Sequence, residues 1–149
     1  RSSGHLWVYP ALYAVMLGPL WWASGTPAFL HTYPFYPYAA VAPGLWLVFE
    51  ASYAVQFLAL EFFFRGFLVL GLRRHLGEAA ILVSMVPYCM IHFQKPFPET
   101  LGAIVAGLVL GFLSLRTGTV VGGVALHWSV ALTMDLLAIW RQGGFTAGP

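Results

Sequence analysis

Several ionisable side chains stand in stretches that otherwise avoid water. Glu61 and Arg65 lie four residues apart in LEFFFRGFL, His92 follows the run PYCMI, and His127 and Asp135 lie in VALHWSVALTMDLL. A charged group at the centre of a bilayer costs at least about 2.5–3.5 kcal/mol on insertion scales, so such groups face a bundle interior and have partners. On a helix, Glu61 and Arg65 share a face, with the acid N-terminal to the base, the favoured order. A direct pair inside the bundle is therefore expected. The pairing alone serves a neutralising structural role and an arginine-held catalytic glutamate equally well.

One glutamate and two histidines support two chemistries. Glu61, His92 and His127 could bind zinc and leave a position open for water. Without metal, a buried glutamate can act as general base on water while the histidines stabilise the developing oxyanion. No HExxH or other close zinc-protease spacing occurs. That favours the metal-free version, with no cofactor expected and zinc kept as the alternative.

These residues must be held by elements long enough to cross a membrane, and about 20 apolar residues span the hydrocarbon core. The hydropathy pattern predicts five helices, over about 6–24, 45–72, 79–93, 100–115 and 120–140. The prolines at 27, 34, 37 and 43 predict an interfacial loop over 25–44, and Pro87 predicts a kink in the short third helix. The fourth helix carries Gly102, Ala103, Ala106, Gly107 and Gly111 at spacings that allow close helix approach. At 1.5 Å per residue, Glu61 lies roughly 16 Å, His127 roughly 12 Å and His92 roughly 21 Å from one end of their helices. A convergent site of these three follows. Asp135, at roughly 24 Å, and Lys95 with Glu99 form an expected outer polar layer.

Composition sets the class. Of the 149 residues, 60% are hydrophobic, 17% aromatic and only 8% charged, against about 25% charged in a soluble domain. Mean hydropathy is +0.79. A soluble enzyme, a disordered chain and a nucleic-acid binder are excluded. The single cysteine, Cys89, excludes a disulfide framework and a cysteine-cluster metal site. The expected fold is an all-α, polytopic transmembrane bundle forming one domain over 1–149. Arg1, Arg73, Arg74 and Arg116 fall on one side, and Lys95 and Arg141 on the other. The larger group marks the cytoplasmic side, which places the N-terminus inside.

The motifs resemble those of the CAAX protease and bacteriocin-processing (Abi) family of intramembrane glutamic proteases. That family's first motif is two glutamates, three residues and an arginine, and here it reads Leu60-Glu61-Phe62-Phe63-Phe64-Arg65, continuing Gly66-Phe67-Leu68. The second is an aromatic residue and a histidine four positions later, here Tyr88 and His92. The third is a histidine followed four positions later by asparagine or aspartate, and begins here at His127. Order and spacing agree over about 45–140. Two positions depart. Leu60 replaces the first glutamate, generally the water-activating base, and Ala131 replaces the asparagine or aspartate. Asp135, one turn further, is a candidate substitute for Ala131. Glu50 shares the face of Glu61 but lies roughly 16 Å away along the helix, too far to replace Leu60. The family core usually has more helices, which leaves room for a portion before Arg1.

The resemblance implies an intramembrane endopeptidase acting on membrane-anchored proteins or peptides in a bacterial cytoplasmic membrane. Glu61 would activate water, Arg65 would position Glu61, and His92 and His127 would polarise the carbonyl and bind the oxyanion. The competing reading is a non-catalytic scaffold or accessory subunit of a larger membrane complex, for which the aromatic surface and the two departures speak. A small transporter is the weakest reading, because the chain has no internal repeat. Expected partners are membrane lipids and a membrane-anchored substrate or complex subunits, and no nucleic acid.

Overall fold

A computed structural model describes residues 6–146. Arg1, counted above toward orientation, lies outside the described residues. Six helices follow one another: α1 Val8–Ala23, α2 Pro27–Thr32, α3 Pro43–Leu76, α4 Ala79–Met90, α5 Phe97–Thr117 and α6 Val121–Arg141. Five are long, and the short α2 lies in the stretch expected to be loop. Pro27 takes the first position of α2, where its missing amide costs nothing. Thr26 caps that helix by accepting from the Phe29 amide.

Three helices, α3, α5 and α6, are long and apolar enough to cross a membrane. The 16 residues of α1 and the 12 of α4 rise only about 24 and 18 Å. The third expected span extended to Phe93, but α4 stops at Met90, three residues after Pro87. His92 therefore sits in the turn after α4 and not within it. Gly118 closes α5 in the left-handed region, at φ +70°, where a side chain would be strained.

Side-chain contacts fix the directions of the helices. Gly111 faces Ile81 and Gly107 faces Met85 and Tyr88, so α4 and α5 form an antiparallel hairpin. A Cβ on either glycine would come within 3.0 Å of those side chains, so these two members of the small-residue stripe set the approach. Gly102, by contrast, faces open space. Tyr9 lies on Gly122, and Arg141 reaches Ser24 at the other end, so α1 runs parallel to α6. Trp46 packs near Ile139 while Glu61 lies against Gly123, so α3 runs antiparallel to α6. Leu47, Val55, Phe62, Phe67, Leu82, Val105 and Phe112 all point outward. An exposed apolar shell around a polar-bearing interior is the arrangement a bilayer requires. The chain is an integral membrane helical bundle.

Within α3 the residues Phe62–Leu70 form a π-helical stretch between two α-helical segments. Such wider turns recur at functional sites. The stretch begins directly after Glu61 and contains Arg65. Ser84 of α4 donates to the Phe64 carbonyl at 2.8 Å, which ties the stretch to its neighbour.

Candidate functional site

Glu61 is buried completely, and Arg65 is 1% exposed. Arg65 Nη1 stands 3.1 Å from Glu61 Oε1, within one helix face. The second partner of Glu61 comes from α6, where His127 Nδ1 lies 3.0 Å from the same oxygen. Oε1 thus accepts from His127 and makes an ion contact with Arg65, while Glu61 Oε2 and the Arg65 nitrogens have no hydrogen-bond partner among the described residues. Oε2 presses against the backbone of Gly123. A Cβ there would lie 2.8 Å from it, so a larger residue would displace the carboxylate.

Tyr88, only 1% exposed, organises the rest. Its ring carries the Arg65 guanidinium at 3.9 Å from the centroid. Its hydroxyl lies 3.4 Å from His127 Nε2, and its backbone carbonyl lies 2.8 Å from His92 Nδ1. The His92 and His127 rings stand 4.8 and 6.0 Å from the tyrosine ring, centroid to centroid. Phe57 closes the far side of His127 at 4.5 Å. Thr100 donates to the His92 carbonyl at 2.7 Å and anchors the turn that carries it. Glu61, Arg65 and His127 thus touch directly, and His92 joins them through Tyr88.

These contacts place a hydrogen on Nδ1 of each histidine. A backbone carbonyl can only accept, so His92 Nδ1 carries the hydrogen and the neutral ring presents a bare Nε2. A carboxylate also only accepts, so His127 Nδ1 likewise carries a hydrogen toward Glu61. The zinc alternative fits this arrangement poorly. The guanidinium already supplies the cation at Glu61 Oε1, and no group of three or more His, Cys, Asp or Glu side chains suited to a metal ion occurs among the described residues.

Asp135 lies elsewhere. Its oxygens accept from the Phe35 amide at 3.3 Å and from Trp46 Nε1 at 3.4 Å, and it stands beside Glu50. It makes no hydrogen bond to Glu61, Arg65, His92 or His127, and so does not stand in for Ala131. Lys95 and Glu99 form a third polar group with Tyr33. The Tyr33 hydroxyl donates to Glu99 Oε2 at 2.6 Å and accepts from Lys95 Nζ at 3.1 Å, while Lys95 lies 3.7 Å from Glu99. Burial raises the Tyr33 hydroxyl pKa well above its ordinary value, with the Glu99 charge adding to the shift. Burial also pulls Lys95 below its usual range, against the opposing pull of Glu99.

The family model for type II CAAX prenyl endopeptidase Rce1-like proteins matches residues 42–133. The chain belongs to this family. Neither a curated protein nor a solved structure matches it. The match takes in Glu61, Arg65, Tyr88, His92 and His127, and stops short of Asp135. In this Rce1-like chain Leu60 packs against the cluster of Phe64, Tyr88 and Ala103, and Ala131 is buried, so neither position supplies a polar group. In the sequence Tyr88 stands out only as the aromatic residue of the second motif. Its central place was open to inference from the four-residue spacing to His92, which puts both on one face, but its contacts with Arg65 and His127 come from other helices. Gly123 gave no signal beyond being a glycine in an apolar run.

Proposed function

We propose that the chain is a CAAX protease-type intramembrane endopeptidase that cleaves a membrane-anchored protein or peptide with Glu61 as the base. The observation that carries this reading is the state of the Glu61 carboxylate, pinned on Oε1 by Arg65 and His127 and bare on Oε2. A buried polar atom without a partner is costly, and a water on Oε2 would relieve that cost. The water gives its proton to Oε2 as its oxygen adds to the scissile carbonyl carbon. The same proton then passes to the departing amine as the C–N bond breaks, which regenerates the carboxylate. His92, with a bare Nε2, accepts a hydrogen bond from the remaining O–H of the water and orients it. Arg65 keeps the carboxylate fixed. Family membership supports a prenylated CAAX tail as the substrate class.

The test is cleavage of an S-farnesylated CAAX peptide by the purified protein in lipid nanodiscs. Wild-type protein should release the tail, and Glu61→Gln should abolish release per folded molecule, although leaving Arg65 without its charge partner lowers the thermal melt. A wild-type preparation that cleaves no prenylated or other membrane-anchored peptide would replace this reading with the scaffold. A Glu61→Gln variant cleaving at the wild-type rate would remove Glu61 as base.

A further inference from the structure

Resting on that reading, we infer that Lys95 receives the free C-terminal carboxylate of the substrate, which makes it the residue that selects a chain end. A C-terminal CAAX sequence ends in a carboxylate three residues beyond its prenylated cysteine. An extended chain covers about 3.3–3.6 Å per residue, so roughly 10 Å separate the cysteine carbonyl from that charge. A cation held a short way along the chain from the water-orienting histidine can therefore read the chain end. Lys95 meets that requirement through the turn it shares with His92. The Lys95 amide donates to the His92 carbonyl at 3.0 Å, and the ends of such a closed turn lie less than about 7 Å apart at Cα. The two side chains sense each other. Burial lowers the pKa of His92 below its ordinary value, and the Lys95 charge acts in the same direction.

The surroundings of Lys95 suit a carboxylate ligand. With Phe93, Phe97 and Thr100 it lines an open hollow of about 430 Å³. Thr100 also donates to the His92 carbonyl, so the hollow adjoins the turn that carries the histidine. Phe93 and Phe97 are exposed and offer apolar walls to the side chains of a tail. The ammonium is held in place with hydrogens to spare. It lies 3.6 Å from the Phe35 ring centroid and 5.0 Å from that of Tyr33, and aromatic faces stabilise a cation. One of its three hydrogens goes to the Tyr33 hydroxyl at 3.1 Å. Glu99 Oε1, at 3.7 Å, is beyond hydrogen-bond distance, and Glu99 Oε2 accepts from Tyr33 instead. The Lys95 side chain remains 20% exposed, which leaves it open to an oxygen arriving through the hollow it lines. Glu99 acts in two directions. Its charge keeps the lysine protonated, and it also repels a second carboxylate, so its neutralisation should strengthen capture of the tail.

The experiment compares the S-farnesylated CAAX peptide as free acid with the same peptide as C-terminal carboxamide, using purified protein in nanodiscs. Wild type should favour the acid by about 10–100-fold in kcat/KM, the range for one hydrogen bond to a charged group. The difference should lie in KM, because a contact remote from the scissile bond binds ground and transition states alike. Lys95→Met should shrink the acid-to-amide ratio below about twofold while cleaving the amide within about threefold of the wild-type rate. Lys95→Arg, which keeps the charge and the donors, should retain at least about a third of the ratio. Glu99→Gln should raise the ratio, whereas a purely structural Lys95–Glu99 pair would make it fall as in Lys95→Met, and that result would overturn the claim. If wild type cleaves both peptides with a ratio below about twofold, or Lys95→Met keeps the wild-type ratio, the role of Lys95 falls and the protease reading stands. Should Lys95→Met fail to fold, Lys95→Gln takes its place, and a wild-type ratio retained by that variant overturns the claim equally. If wild type itself is inert on every membrane-anchored peptide, both claims fail together.

Discussion

His127 Nδ1 lies 3.0 Å from Glu61 Oε1, across 66 residues of sequence and between two antiparallel helices. This contact joins the first and third sequence motifs into one site. It also places α3 against α6 at the level of Gly123, where the backbone touches the other carboxylate oxygen.

Gly123 should therefore be intolerant of even one methyl group. The Glu61 side chain cannot swing away, because Arg65 and His127 hold it. Gly123→Ala should destabilise the protein by about 1–3 kcal/mol, the usual cost of overpacking, and reduce cleavage more than the loss of folded protein explains. Thermal melting alongside turnover per folded molecule measures both. An alanine variant with unchanged melting and rate would show that the carboxylate has slack.

The Glu61–Arg65 pair is buried on both sides, so removing one partner leaves an unpaired charge. Arg65→Leu should cost about 3–5 kcal/mol and lower the yield of folded protein. The double change Glu61→Gln with Arg65→Leu should recover part of that yield without recovering activity. Size-exclusion yield and melting temperature are the readouts. Equal melting of wild type and the single variant would mean the pair contributes nothing.

Orientation is testable by labelling. Arg73, Arg74 and Arg116 lie at one end of the bundle, and Lys95 and Arg141 at the other, as the directions of α3 to α6 require. The basic-residue bias expects the first end to be cytoplasmic. In a Cys89→Ala background, Arg74→Cys should react with an impermeant maleimide only from the cytoplasmic side, and Lys95→Cys only from the opposite side. Labelling of both from one side would overturn the arrangement.

With the guanidinium occupying the cation position at Glu61, chelation should leave cleavage of the farnesylated peptide within about twofold of the untreated rate. Strong inhibition by 1,10-phenanthroline, reversed by added zinc, would instead assign Glu61, His92 and His127 to a metal.

The close packing of α4 on α5 gives a further expectation. Gly111 already leaves no room between its backbone and Ile81. Gly111→Val should destabilise the hairpin by about 1–3 kcal/mol, whereas Gly102→Val, which faces open space, should leave melting unchanged. Equal effects at the two positions would show that the stripe, and not the contact, governs stability.

The sequence by itself determined the solvent and the local pairings. A chain with so few charges and such long apolar runs must put its polar side chains inward. The four-residue spacing of Glu61 and Arg65 fixed their common face through helix geometry alone. The order and spacing of the motifs around Glu61, His92 and His127 carried the family resemblance. The tertiary structure decided what depends on separate helices meeting. It set Tyr88 between Arg65 and both histidines, and it gave Asp135 to Trp46, Phe35 and Glu50 and not to the place left by Ala131. Depth along a helix says how far a residue lies from the membrane surface and nothing about its rotation. Asp135 lies two turns beyond His127 on α6, yet its partners come from α3 and the preceding loop. The π-helical stretch after Glu61 likewise has no local sequence signature. Its wider turn is stabilised by packing and by Ser84 of a neighbouring helix, interactions that exist only once the bundle has closed.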